Sequence, residues 1–227
     1  MNHFILVVLL FCSFTCYSQS EMDAACDKTY FSEELYKDSL GFYETLFGVD
    51  KSIDSNDERL KLAFFVALRH YPELQKVKMK MCLQRISATM QAQPRWDFIF
   101  RRKEKRAYIL LVNNTLGVTG MNYKELTFNS LVGWIGHELA HVKDYTKKSN
   151  GQLFGFILSY IFSQDEIKKT ENEADKETIR HGLGKPLLEG TRYLFSHKRL
   201  NKKYREKKLK FYLSPQQITE EIEKNCH

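Results

Sequence analysis

The sequence predicts an α+β fold: a small mixed sheet packed on a backing helix and a second, longer helix, followed by a helical C-terminal subdomain. Three observations predict it. Apolar residues recur at steps of three and four across residues 31–47 and 57–71, the period of a helix. Residues 77–83 alternate apolar and polar, the period of a half-buried strand. The second half of the chain is dominated by helical periodicity. With 227 residues, 43% of them hydrophobic, and only four prolines, the chain suits one cored domain without linkers.

Phe31 to Phe47 and Asp57 to Tyr71 read as helices, the second with Leu60, Phe64 and Leu68 on one face and expected to back the sheet. Val77, Met79, Met81 and Leu83 then alternate with lysines and Cys82 as a strand. Trp96 to Arg102 and Arg106 to Asn113 read as two more strands, turning at Lys103 and Glu104. Asn122-Tyr-Lys-Glu125 has the form of a capping box that would start the long helix. On that helix Leu131, Ile135, Leu139 and Val142 form a stripe for burial, and Trp134, His137, His141 and Asp144 form a neighbouring stripe facing a cleft. Gly151 to Ser163 is apolar on nearly all sides; at thirteen residues it falls short of the roughly 20 that span a bilayer, and a buried core helix is expected, with a shallow dip into a membrane as the alternative. Ser163 to His181 is a polar helix that Gly182 would stop. Ser214, with Pro215 at the first helical position, would start a last helix through Lys224.

His137-Glu138-Leu139-Ala140-His141, inside the long helix, is an HExxH motif. Two histidines four apart lie one above the other, so their imidazoles converge on one cation. Zinc accepts neutral imidazole and keeps an open position in catalytic sites. Glu138 lies about 100° around the same helix, within reach of water at that open position. An accidental HExxH in a chain of this length is on the order of one in a hundred, and the surrounding periodicity matches what a ligand helix requires.

The metzincin continuation of this motif is excluded, because Asp144 and Lys147 stand where its glycine and third histidine belong. Downstream lies Glu171-Asn172-Glu173-Ala174-Asp175. HELAH followed by ENEAD resembles the gluzincin zinc metallopeptidases, in particular the family containing the CAAX prenyl proteases, HtpX and the mitochondrial Oma proteases. The small size is closer to the minigluzincins, compact single-domain relatives. The resemblance covers mainly Ser130 to Gly184. It implies a zincin-like fold, Zn2+ held by His137, His141 and Glu171, and Asp175 holding a ligand histidine. Asp144 and Glu173 remain competing carboxylates for the third ligand.

The chemistry this implies is hydrolysis of a peptide or protein substrate. Zinc lowers the pKa of its water toward about 7, and Glu138 serves as general base and then passes the proton to the leaving amine. A developing oxyanion needs a further donor. The candidates are His181, Arg192, Tyr193 and His197, with His181 and His197 foremost; the structural alternative for His181 is a helix C-terminal cap beside Gly182. The segment Ala107 to Val112, apolar on both faces, is either a cleft-edge strand that adds a substrate peptide to the sheet or a buried central strand. The alternative to an enzyme is a latent or non-catalytic zinc-binding envelope protein with a basic membrane- or polyanion-binding surface.

Phe4 to Cys16 is an apolar run followed by small polar residues, the pattern of a secretory signal peptide spanning residues 1–20, although it has no basic residue before it. A periplasmic or secreted location follows, with an uncleaved or lipid-linked anchor as the variant. The mature part, residues 21–227, is then the single domain. Its three cysteines, Cys26, Cys82 and Cys226, allow one disulfide and one leftover thiol. Between Lys198 and Lys210 stand eight basic residues and one acid, Glu206, within a net charge of +7. Such a run is a solvated helix face or a contact for an anionic membrane surface. Nucleic acid is not an expected partner for an exported chain. Asn113-Asn114-Thr115 has the form of a glycosylation sequon.

Overall fold

The computed structural model describes residues 30–225, apart from 117, 118 and 120. The fold is mixed α+β, a four-stranded sheet followed by a helical C-terminal part. Short helix α1 (Glu33–Tyr36) leads through a 3-10 turn into α2 (Leu40–Phe47), so the first helical stretch is broken in two. Strand β1 (Lys51–Asp54), α3 (Glu58–Arg69) and β2 (Lys78–Gln84) form a parallel crossover unit. Strand β3 (Met90–Pro94) runs antiparallel to β4 (Ala107–Asn113), which pairs in parallel with β2. The order across the sheet is β1-β2-β4-β3. Then come α4 (Phe128–Lys147), α5 (Asn150–Phe162), α6 (Gln164–Thr178), α7 (Gly184–Ser196), α8 (Lys202–Phe211) and α9 (Pro215–Asn225).

One apolar core runs from α2 and α3 through the inner face of the sheet to α4 and α7. Helix α4 lies at its centre, packed against α3, α6, α7 and β3. Its expected stripe is fully inside: Leu131, Ile135, Leu139 and Val142 are all 0% exposed. Close approach of α7 depends on Gly133, where an added Cβ would fall 2.4 Å from the backbone of Pro186 and Leu187. The turn between α6 and α7 needs Gly182, which has φ 74°, a left-handed conformation that costs other L-residues energy.

Five sequence expectations are corrected. Trp96–Phe100 is a 3-10 turn, because Asp97 accepts hydrogen bonds from Arg95 and Arg101 on either side and curls the chain. The strand in that region is β3, whose only apolar residues before Pro94 are Met90 and Ala92, too few for an alternation to stand out. Ala107–Asn113 is central, so the substrate-strand reading fails for it; β3 is the edge next to α4. Asn122 caps only the turn Tyr123–Glu125, while Thr127 caps α4 by accepting from Ser130 N at 3.0 Å. Helix α5 is not a buried core helix: only Leu153 is buried. The sequon carries no accessible acceptor either, since Asn113 is 0% exposed and its Oδ1 takes hydrogen bonds from Thr115. Cys82 is a free thiol; Cys26, Cys226 and residues 1–20, expected as a signal peptide, lie outside the described residues.

Candidate metal centre

Two helices bring three donors together. His137 and His141 come from α4, one helical turn apart, with Nε2 atoms 3.1 Å from each other and rings nearly perpendicular. Glu171 comes from α6 and places Oε2 at 3.1 Å from His137 Nε2 and 3.5 Å from His141 Nε2. All three side chains are buried. For Zn–N bonds of about 2.0–2.1 Å, tetrahedral geometry sets donor-to-donor distances of about 3.3–3.4 Å. The donor triangle, with sides of 3.1, 3.1 and 3.5 Å, lies close to those dimensions, and imidazole nitrogen and carboxylate oxygen are donor types that zinc takes, so the residues fit the ion.

Orientation is fixed from behind. Asp175, one turn after Glu171 on α6, holds His137 Nδ1 at 2.9 Å through Oδ1, which leaves the Nε2 lone pair toward the triangle. Its other oxygen accepts from Leu213 N at 3.0 Å, so the link between α8 and α9 is pinned to the same carboxylate. Glu171 Oε1 accepts from the Tyr160 hydroxyl of α5. That bond turns Oε2 to the histidines. Glu173 is exposed and pairs with Lys176, and Asp144 pairs with Lys148, so neither competitor joins the triangle.

Electrostatics follow from burial opposed by partners. Burial disfavours charge on His137, but its hydrogen bonds to the Asp175 and Glu171 carboxylates outweigh that and raise the imidazole to about 10. Burial would push Glu171 up, yet His141 and His137 hold it well below the usual carboxylate range. Tyr160 and Tyr212 are both pushed well up, by burial first and then by the charge on Glu171, so each remains a hydroxyl donor.

Glu138 is 7% exposed and lines a small cavity of about 40 Å³ with His137, Trp134, Phe195, Lys208 and Tyr212. That volume exceeds the roughly 10–15 Å³ a cavity needs to hold a water. A wider groove of about 350 Å³ opens past His141 between α4 and α6. Neither foremost oxyanion candidate lines the cavity. His181 stacks on Tyr71 at 4.1 Å, donates from Nδ1 to Glu177 O at 2.8 Å, and sits 3.0 Å from Glu73. His197 lies beside Tyr193 and Glu125, with Nε2 3.4 Å from the carboxylate. Arg192 is exposed.

Sequence reasoning missed Tyr160, Lys208 and Tyr212. Tyr160 was masked by its apolar neighbours, and Tyr212 stands in a stretch whose Ser-Pro step reads only as a turn. The one signal for the two tyrosines was a polar-tipped ring inside otherwise apolar or basic runs; Lys208 is one cation among many in its run. No protein-family model, no curated protein and no solved structure matches this chain.

Proposed function

We propose that the chain is a zinc-dependent peptide hydrolase of the gluzincin type. The observation that carries this reading is the donor triangle of His137, His141 and Glu171, together with a buried carboxylate, Glu138, that shares a small cavity with His137. A purely structural zinc site is closed by its ligands and needs no such neighbour. When bound, zinc supplies a Lewis acid that acidifies water and polarises the scissile carbonyl. Glu138 accepts the proton of the attacking water and delivers it to the leaving amine. Asp175 keeps His137 in the tautomer that ligates, and Tyr160 keeps Glu171 aimed. Lys208 and Tyr212 are among the hydrogen-bond donors lining the cavity, and the oxyanion role passes to them from His181 and His197.

Peptide is held by the edge of β3. Asn113 N donates to Thr89 O and Arg95 N to Ala107 O, so the odd-numbered residues of β3 face β4 and the backbone of Met90 and Ala92 turns outward. An extended chain adding there would run beside α4 with its register set by main-chain bonds. The test is cleavage of a peptide library by the full chain and by Glu138→Gln, with and without a zinc chelator. Cleavage abolished by chelation, restored by zinc and lost in the variant supports the hydrolase. Absence of cleavage by zinc-loaded protein across the library overturns it.

A further inference from the structure

The outward face of α5 carries large apolar side chains in the open. Phe154, Leu158, Ile161 and Phe162, spaced at i, i+4, i+7 and i+8, share one side of the helix and are 42–83% exposed. Gly151 and Gly155 lie on the same side and face open space. The opposite side does the packing: Leu153 is buried, Phe156 meets Tyr145, and Tyr160 bonds Glu171. The helix contains no charged residue from Asn150 to Phe162. At its start, Asn150 Nδ2 donates to the carbonyls of Ile99 and Arg101, which docks the Trp96–Phe100 turn against it. That turn adds Trp96, 78% exposed, and Phe100, 77% exposed. Scattered single apolar residues are ordinary on a surface, whereas a contiguous set of large ones marks an interaction site.

Basic side chains flank both ends of this face. Residues 95–105 hold five cations and two acids, α8 holds six cations and one acid, and the start of α6 sets Asp165 and Glu166 against Lys168 and Lys169, with Lys210 Nζ bonded to Gln164 just beyond Phe162 at 2.6 Å. We propose that this face of α5 and the Trp96–Phe100 turn seats the protein on an anionic lipid surface, rings and aliphatics entering the interface and the flanking Lys and Arg meeting the headgroups. Exposed aromatic residues beside cations are what an interfacial helix presents. The other exposed apolar set, Leu35, Phe42, Leu46 and Val49, lacks the charge complement: Glu33, Glu34, Asp38, Glu44 and Asp50 outnumber Lys37 and Lys51 around it. Among the described residues no helix is long and apolar enough to cross a membrane, so the contact is one of lying on the surface. This proposal does not depend on the hydrolase reading.

The experiment reads Trp96 in the full chain, as the fluorescence difference between wild type and Trp96→Phe, with vesicles of phosphatidylcholine alone or mixed with phosphatidylglycerol. The expected result is a blue shift and quenching by bromine-labelled acyl chains on the anionic vesicles only, weakened by salt. The double variant F154S/F162S, both positions exposed and checked by an unchanged circular dichroism spectrum, should lower partitioning about ten-fold or more. Equal binding to neutral vesicles overturns the proposal. So does Trp96 that stays open to acrylamide on vesicle-bound protein, which would assign the binding to another segment such as residues 1–29. Shielding of Trp96 without vesicles also overturns it: at every dilution the cover is the chain's own remainder, and if lost on dilution it is a second copy.

Discussion

At His137 two carboxylates meet one imidazole. Asp175 and Glu171 raise it to about 10 against the pull of burial, and a metal can bind only the neutral ring. A proton therefore competes with the cation throughout the neutral range, and zinc affinity should rise about ten-fold per pH unit between pH 6 and 8, with about one proton released per ion from this ring. Titration at two pH values in buffers of different ionisation enthalpy measures both. Asp175→Asn keeps an acceptor near His137 but loses its charge; zinc affinity should fall about 10–100-fold in a competitive chelator titration. The three donors of the candidate centre were legible in the sequence, because the four-residue spacings on α4 and on α6 are local patterns. The residues that orient or line the site from α5, α8 and the α8–α9 link were not, since only the folded chain brings Tyr160, Lys208, Tyr212 and Leu213 to them.

Helices α4 and α6 must stay in register for the triangle to exist. Beyond the donors, Lys143 of α4 ties to Glu177 of α6 at 2.6 Å and to Glu73 at 2.5 Å, with His181 alongside. Burial raises the Glu177 carboxyl, but hydrogen bonds from Lys143 and Arg180 overcome that and hold it at about 2, against 4.5 unperturbed. A depressed carboxyl contributes stability above its unfolded pKa and loses it as pH falls from about 4.5 toward 2. Glu177→Gln should thus cost about 1–2 kcal/mol at pH 7, allowing for solvent screening, and flatten the acid limb of a denaturation series in that window. Gly133 sets the second helix contact. Gly133→Ala should destabilise by about 1–3 kcal/mol in urea melts, because backbone rather than a flexible side chain blocks the new methyl. Long periodic helices such as α3 and α6 could be read from the sequence to within a few residues, whereas α4 begins five residues after the capping box at Asn122 would start it. Strands β1 and β3 could not, since with four and five residues they owe their existence to pairing with β2 and β4.

Across the whole molecule, the expected α+β class and the helical C-terminal part are present, while the exposed face of α5 reverses the expectation of a buried core helix. Hydrophobicity alone reads the same whether a segment meets core or an outside partner. Because the ligands come from both α4 and α6, an ion bound there would hold the C-terminal helices to the sheet half. Zinc at about 100 times its Kd would add about 2.7 kcal/mol to stability, which for a chain of this size is a Tm rise of about 5–11 °C; calorimetry with and without chelator checks it. The most direct measurement is zinc stoichiometry of the purified chain at pH 7.5 beside Glu171→Gln and Glu138→Gln. One ion per wild-type chain, one in Glu138→Gln and a large loss of affinity in Glu171→Gln is the predicted result. No bound zinc in the wild type, or undiminished binding without Glu171, would contradict the metal centre and the hydrolase built on it.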